Sequence, residues 1–482
     1  MSAPVSLQAA AALALPELIL AGSALALLIW GAFRGRGGGL FTLASMAALV
    51  GAGVAAAVGP LGRAFADGLI ADQGSVFAKV VIYAASAVAI PLGDRWFARR
   101  AAAKFEYPVL VIIAALGMGM MTSAGDLISL YVSIELQSLA LYILAAFLRD
   151  DAKASEAALK YFVLSALSSG LLLYGASLIY GFAGSTRFDF IAAALHGHAN
   201  LGILAGLVFL ICGFGFKLSA APFHMWTPDV YEGAATPVVG FFAGAPKIAA
   251  MVLLARVLSE AFGGAGGQWR QILVAMALLS VAVGAFGGLV QNNVKRLWAY
   301  SSIATIGYAL VGLAAGGVVG IQSMLMYMVL FVVDVTGFFA CLSGLTRDGR
   351  SLETMADFAG LMRERPVMAF CMTLFALSAL GLPPLGEFWG KFYVFRAAWG
   401  VGPVLGVVAV IALVGSVVAA FFYLRLVKVM WMDPSPGPTD TPAPEARALA
   451  YAMAVIAFPV VLIMLAALDP LTRTAAVALA QR

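Results

Sequence analysis

Charge is what this chain has least of. Only 11% of its 482 residues are Asp, Glu, Lys or Arg, and 63% are hydrophobic. Soluble domains run nearer one quarter charged, so this composition excludes a soluble globular protein. Cysteine is scarce too. Cys212, Cys341 and Cys371 lie apart in apolar stretches with no CxxC spacing, which argues against a zinc site, an iron–sulfur site or a disulfide framework. Also missing are a Gly-rich phosphate loop after a strand, a Ser/His/Asp set and a metal-ligand cluster. No nicotinamide, flavin, iron–sulfur or metal site is therefore expected on this chain. The net charge of +5 is not a nucleic-acid signal, because the basic residues sit in short loops between apolar stretches. Met1 to Pro16 contains no Lys or Arg. It lacks the basic start of a cleaved signal peptide, and the first apolar run is expected to remain as a helix.

Apolar runs are what the chain has in abundance. A helix crossing a bilayer needs about 20 mostly apolar residues. Fourteen stretches qualify, at about 14–33, 40–58, 69–90, 107–123, 126–148, 157–182, 203–222, 236–257, 270–289, 296–314, 320–344, 367–396, 403–427 and 447–468. They are numbered spans 1 to 14. The expected fold is an all-α polytopic membrane protein. Its longest connections, 183–202, 224–235, 345–366 and the Pro-rich 433–446, are too short for a separate soluble domain.

Loop charge gives the orientation. Loops after odd-numbered spans carry seventeen Lys or Arg, among them Arg34, Arg36, Lys104, Lys160, Lys295, Arg296 and Arg347. Loops after even-numbered spans carry five: Arg63, Arg187, Arg256, Arg270 and Arg396. The positive-inside rule places the odd loops in the cytoplasm. With fourteen spans, both termini then lie on the opposite face of the membrane.

Two spans are interrupted. Span 7 carries Lys217 followed by Pro222, and span 12 carries Gly381-Leu-Pro383-Pro384-Leu-Gly386-Glu387 ahead of Lys391. Broken helices at matching places in two halves point to an inverted-repeat transporter. Spans 4–8 and 9–13 would be the two five-helix repeats. The expected units are 1–106 (spans 1–3), 107–257 (first repeat), 258–430 (second repeat) and 431–482 (Pro-rich loop and last span).

Eight charges fall within spans: Asp72, Lys79, Glu135, Lys217, Lys247, Asp334, Glu387 and Lys391. Each costs roughly 2.5–3.5 kcal/mol at mid-membrane, so they must be paired or line a polar path. Asp72 and Lys79, seven residues apart on one helix face, are candidates for satisfied ion pairs that join helices. Glu135, Lys217, Lys247 and Lys391 are three lysines against one carboxylate, so they cannot neutralise one another. A lysine out of water holds its proton less tightly, and a nearby carboxylate restores that hold. A row of such lysines is the expected proton path. His224, just past Pro222, is a candidate relay, with an imidazole that titrates near neutrality. His196 and His198 lie in a loop and are expected to be solvated.

The stretch Leu130-Tyr-Val-Ser-Ile-Glu135-Leu-Gln-Ser-Leu-Ala-Leu-Tyr142 resembles the helix-5 motif of the antiporter-like subunits of respiratory complex I. Glu156-Ala-Ala-Leu-Lys160 running on to Gly175, Phe216-Lys217 through Gly233, Asn293-Val-Lys295 through Ser302, and Lys391-Phe-Tyr-Val-Phe395 narrow the likeness to the subunit N type, in its alphaproteobacterial form. The resemblance covers most of the chain, from about span 4 to span 13. It implies a proton-translocating membrane-arm subunit of an NADH:quinone oxidoreductase. Glu135 would pair with Lys217, Lys247 would be the central carrier, and Lys391 would hand the proton to the exit side. Redox chemistry is implied only for partner subunits, which would carry FMN, iron–sulfur clusters and quinone. The partners would be a neighbouring antiporter-like subunit, small membrane subunits and the lipid bilayer, with no nucleic acid.

Three positions depart from the family pattern. Ser301-Ser302-Ile303-Ala304-Thr305 stands where a histidine is usual, so a relay step is missing or is taken by Thr305 and water. Asp334 adds an acid in span 11, and Glu387 replaces a glycine. Glu387 and Lys391 are four residues apart, so a regular helix would pair them on one face. Lys160, Glu387, Asp334 and Thr305 join His224 as possible relays. Two other functions share the layout: a subunit of a multisubunit sodium/proton antiporter or membrane-bound hydrogenase, and a structural arm subunit with an inactive channel.

Overall fold

Helices occupy all fourteen expected spans in the structure, a computed structural model that describes residues 6–35, 37–195 and 200–480. Among these residues twelve helices are long and apolar enough to cross a membrane, and spans 4 and 12 use the shorter apolar helices Glu106–Thr122 and Pro366–Leu380. Arg36, His196 and His198 lie outside the described residues.

The loops supply the groups that start the helices. Asp126, Asp151, Asn200 and Asn293 each accept hydrogen bonds through a side-chain oxygen from first-turn N–H groups of spans 5, 6, 7 and 10. Such caps satisfy donors that have no partner within the helix. Spans 8 and 10 are the most enclosed, with 94% of their apolar windows buried, against 33% for spans 1 and 2. The centre of the bundle is thus the pair that carries Lys247 and Ser302.

Glycine sets how closely spans 9 and 10 approach. A Cβ on Gly284 would lie 2.6 Å from both Ala304 N and Tyr300 O, and one on Gly307 would lie 2.8 Å from Ala277 O. Small residues at such crossings let backbones touch, which is how helices associate where lipid is as apolar as leucine. Gly284→Val is expected to cost about 1–3 kcal/mol by forcing the two spans apart. A lower thermal midpoint of the purified protein would show it, and an unchanged midpoint would refute this packing role.

On the odd-loop side the Pro-rich segment is fastened rather than loose. Arg365 Nη2 donates to Thr439 O at 2.8 Å, Thr439 N donates to Glu364 Oε2 at 2.7 Å, and Asp440 N donates to Thr346 O at 2.8 Å. Gly360, at φ +67°, leaves no room for a Cβ against Ser435 N, 2.7 Å away.

The structure corrects several expectations. One is met: Asp72 and Lys79 each take an ion pair that joins helices. A hairpin, Gly62–Ala64 with Leu69–Ala71, precedes span 3, so Asp72 caps the helix Gln73–Arg99 instead of lying within it. Lys79 Nζ meets Glu17 Oε1 at 2.6 Å. Arg256 is no loop residue: it is fully buried and grips Asp72. The connection 224–235 contains a helix, Trp226–Gly233, which is the second half of broken span 7. Span 8 is also interrupted, at Gly244, between Thr236–Ala243 and Ala245–Arg256. Span 14 is two helices, Pro444–Ala457 and Val461–Ala480, around Pro459. Both halves run along span 11: Ala446 sits against Gly344, Val461 and Leu465 pack on Met326 and Leu330, and Gln322 Nε2 donates to Asp469 Oδ1 at 3.1 Å. Hydropathy passes smoothly through Pro459 because proline removes a backbone donor without adding polarity to its side chain.

Candidate functional site

The breaks place each lysine. Span 7 stops at Leu218, with Ser219 in the left-handed region at φ +64°. Ala221 N donates to Ser280 Oγ at 2.8 Å, which pins the break to span 9. Lys217 is thereby held inside, 8% exposed. Its Nζ donates to Ser138 Oγ and Ser165 Oγ, both at 2.8 Å. The implied Glu135–Lys217 ion pair is not formed. Glu135 instead accepts a hydrogen bond from Ser169 Oγ. Ser165 and Ser169 are one helical turn apart on span 6, and Glu135 and Ser138 are one turn apart on span 5. The carboxylate and the ammonium are therefore held by separate hydroxyls one helical turn apart, with Tyr142 OH donating to Ser165 Oγ at 2.5 Å.

Lys247 follows the Gly244 interruption directly and is 1% exposed. Its Nζ donates to Ser302 Oγ and lies 5.7 Å from the ring of Tyr231. Thr305 does not contact this lysine. It is one turn further along span 10, buried, and beside the hydroxyl of Tyr327. Tyr327 OH donates in turn to Glu387 Oε2 at 3.2 Å.

Lys391 lies in Gly386–Val401, the second half of span 12. Its Nζ reaches back across the break to Ala379 O at 2.8 Å, Leu380 O at 3.0 Å and Ser416 Oγ at 3.1 Å. The ammonium so caps the exposed carbonyls at the end of Pro366–Leu380, the favoured place for a cation. Those carbonyls outcompete the acid four residues away. The expected Glu387–Lys391 ion pair is absent, although both residues lie beyond the Pro383-Pro384 break in one helix. Asp334 is 1% exposed, and neither of its oxygens has a hydrogen-bond partner; Glu387 Oε1 likewise has none.

The remaining candidates separate from this chain. Lys160 is not a buried relay: its side chain is 43% exposed and meets Glu156 and Asp229, each at 2.7 Å. Arg296 ties Asp229 and Glu232 at 2.6 and 3.0 Å in the same odd-loop cluster. His224 sits half-buried in the span 7 break, its Nδ1 without a partner, and does not bond Lys217. Ser138, Ser165, Ser169, Ser302, Ser416 and Tyr327 carry no charge to single them out in the sequence. Their signal was the recurrence of serine at turn spacing within apolar helices, as in Ser165-Ala-Leu-Ser168-Ser169.

Broken helices around buried, hydroxyl-bound lysines define an antiporter-like, multi-pass membrane protein. Residues 124–417 match the family described as NADH:quinone oxidoreductase/Mrp antiporter, TM. NADH-quinone oxidoreductase subunit N of Caulobacter sp. (strain K31) is 63% identical over 97% of this chain and 98% of its own. A chain of respiratory complex I from Thermus thermophilus with bound aureothin superposes with TM-score 0.80 at 33% identity, covering 96% of this chain and 99% of that one. A chain of the Mrp complex from Dietzia sp. DQ12-45-1b shares the fold at TM-score 0.84 and 20% identity, covering 98% of each. The chain belongs to the subunit N family of NADH-quinone oxidoreductase. It is thus a multi-pass membrane subunit of an oxidoreductase complex.

Proposed function

We propose that this chain translocates protons as a membrane-arm subunit of NADH:quinone oxidoreductase, through Glu135, Lys217, Lys247 and Lys391. The observation that carries this reading is the placement of the three lysines. Each lies beside a helix interruption, is almost fully buried, and is held by neutral hydroxyls or carbonyls instead of a carboxylate. A static ion pair would lock the charge in place; a neutral cradle lets the lysine gain or lose a proton without stranding a counter-charge.

The hydrogen bonds around each lysine support an order of steps. Glu135 communicates with Lys217 through Ser169, Ser165 and Ser138. From Lys247, Ser302 leads one turn along span 10 to Thr305, then to Tyr327 and Glu387. Tyr327 and Thr305 take the place of the missing histidine. Asp334 and Glu387 are the acids closest to the Lys391 end. Uptake is from the odd-loop face and release on the side of both termini. Quinone reduction on partner subunits, which also hold FMN and iron–sulfur clusters, drives the cycle, and neighbouring antiporter-like and small membrane subunits complete the arm. The 63% identity to a subunit N favours this over a sodium/proton antiporter subunit.

Tyr327→Phe tests the link between the two halves. It removes one hydroxyl and keeps the ring packing. The proton-to-electron ratio of the assembled complex is expected to fall severalfold while the complex stays intact, as seen by co-purification and quenching of a pH dye. An unchanged ratio would remove Tyr327 from the path.

A further inference from the structure

The surface beside Lys391 holds a feature that the proton path does not use. Between the helices Gly386–Val401 and Pro403–Met432 runs a groove of about 860 Å³. Phe392, Phe395 and Trp399 form one wall, and Leu413 and Val417 form the other. Lys391 and Ser416, bonded at 3.1 Å, lie on its floor. A second groove of about 540 Å³, lined by Pro403, Val407 and Ile411, shares Trp399 and Val410 with the first. The indole, 70% exposed, is therefore a ridge between two narrow apolar channels.

One cation belongs to the first groove and has no acidic partner. Arg396 lines it, is exposed, and forms no ion pair among the described residues; its guanidinium lies 6.0 Å from the ring of Tyr393. At 1.5 Å per residue, Trp399 is about 12 Å along the helix from Lys391. That is close to one leaflet of a hydrocarbon core about 30 Å thick. Trp399 thus marks the interface end of the groove, where aromatics anchor, Lys391 marks its mid-membrane end, and Arg396 lies between them, about 7.5 Å along the helix from Lys391.

We propose that these two grooves hold one anionic diacyl phospholipid. Its phosphate sits on Arg396, whose planar fork matches phosphate oxygens. One acyl chain fills the larger groove down to Lys391, and the other lies across the Trp399 ridge. Two apolar grooves that share the Trp399 indole as a wall suit two acyl chains. The consequence rests on the proton path proposed above. The chain over Lys391 shields it from the lipid side, so a proton arriving there leaves through the protein interior.

The test uses the whole complex in membranes containing phosphatidylglycerol with a photoactivatable group in the acyl chain. Illumination is expected to label Phe392, Phe395, Leu413 or Val417. Arg396→Gln is expected to reduce labelling severalfold, Val410→Trp should block it by filling the shared wall, and a phosphatidylcholine probe should label weakly. Absence of label, equal label in Arg396→Gln, or a cross-link from the groove to a neighbouring subunit in place of lipid would overturn the site. Labelling does not depend on pumping, so it stands or falls apart from the path itself. The shielding role is read separately: Arg396→Gln should lower the proton-to-electron ratio with NADH oxidation retained. An unchanged ratio in a complex that has lost the lipid would overturn that role.

Discussion

Lys217→Met in the assembled complex is expected to cut NADH-driven proton translocation by on the order of tenfold or more, each tenfold being about 1.4 kcal/mol of barrier. Methionine keeps the bulk and removes the proton site. The expectation follows from what surrounds the ammonium: two serine hydroxyls at 2.8 Å, and no carboxylate in direct contact. Glu135 is engaged by Ser169, and His224 forms no hydrogen bond with Lys217. Lys217→Arg is the discriminating variant. Arginine keeps the positive charge but does not give up its proton in proteins. If Lys217 only anchors the break, arginine should preserve pumping. If it carries protons, arginine should fail as methionine does, with assembly retained. Co-purification of the other subunits checks assembly, and pH-dye quenching with quinone reduction reads the outcome. Undiminished pumping in Lys217→Arg would remove the residue from the carrier role.

The second large effect concerns stability. Arg256→Met is expected to cost about 3–5 kcal/mol, because breaking a buried ion pair leaves the partner charge uncompensated. Arg256 donates through Nη1 and Nη2 to both oxygens of Asp72, each at 2.8 Å. Nη1 also reaches Glu260 Oε1 at 2.6 Å, and Nε reaches Thr122 O at 3.2 Å. One guanidinium thus ties the end of span 8 to the start of span 3 and the end of span 4. The variant should lose most of its membrane abundance or show a much lower thermal midpoint. Arg256→Lys should rescue little, since a point charge cannot repeat the fork. Asp72→Asn, which removes one of the two acids, should cost less than Arg256→Met. Normal abundance and midpoint in Arg256→Met would show that the clamp does not carry this load.

Much of this protein is legible in its sequence. Hydropathy is a local sum, so the position of each span can be read from about 20 consecutive residues, whatever lies beside it. The same holds for Pro222 and for Gly381 to Pro384, where the chain itself lacks the donors or the stiffness to continue a helix. Lys217, Lys247 and Lys391 stand out for the same reason: a charge within an apolar run is an anomaly that needs no knowledge of its neighbours. Pro459 shows the limit of that rule, since it interrupts a helix without any charge to mark it.

Partner choice was decided only by the tertiary structure. Lys79 found Glu17 in span 1, and Asp72 found Arg256, 184 positions along the chain. Lys391 turned from Glu387 to the carbonyls of Ala379 and Leu380. Lys217 met serines from two other spans in place of Glu135. The physical reason is common to all four. Helical spacing fixes which side chains share a face, but a buried charge settles on the nearest complementary group in three dimensions. In a bundle of fourteen spans that group usually belongs to a different helix.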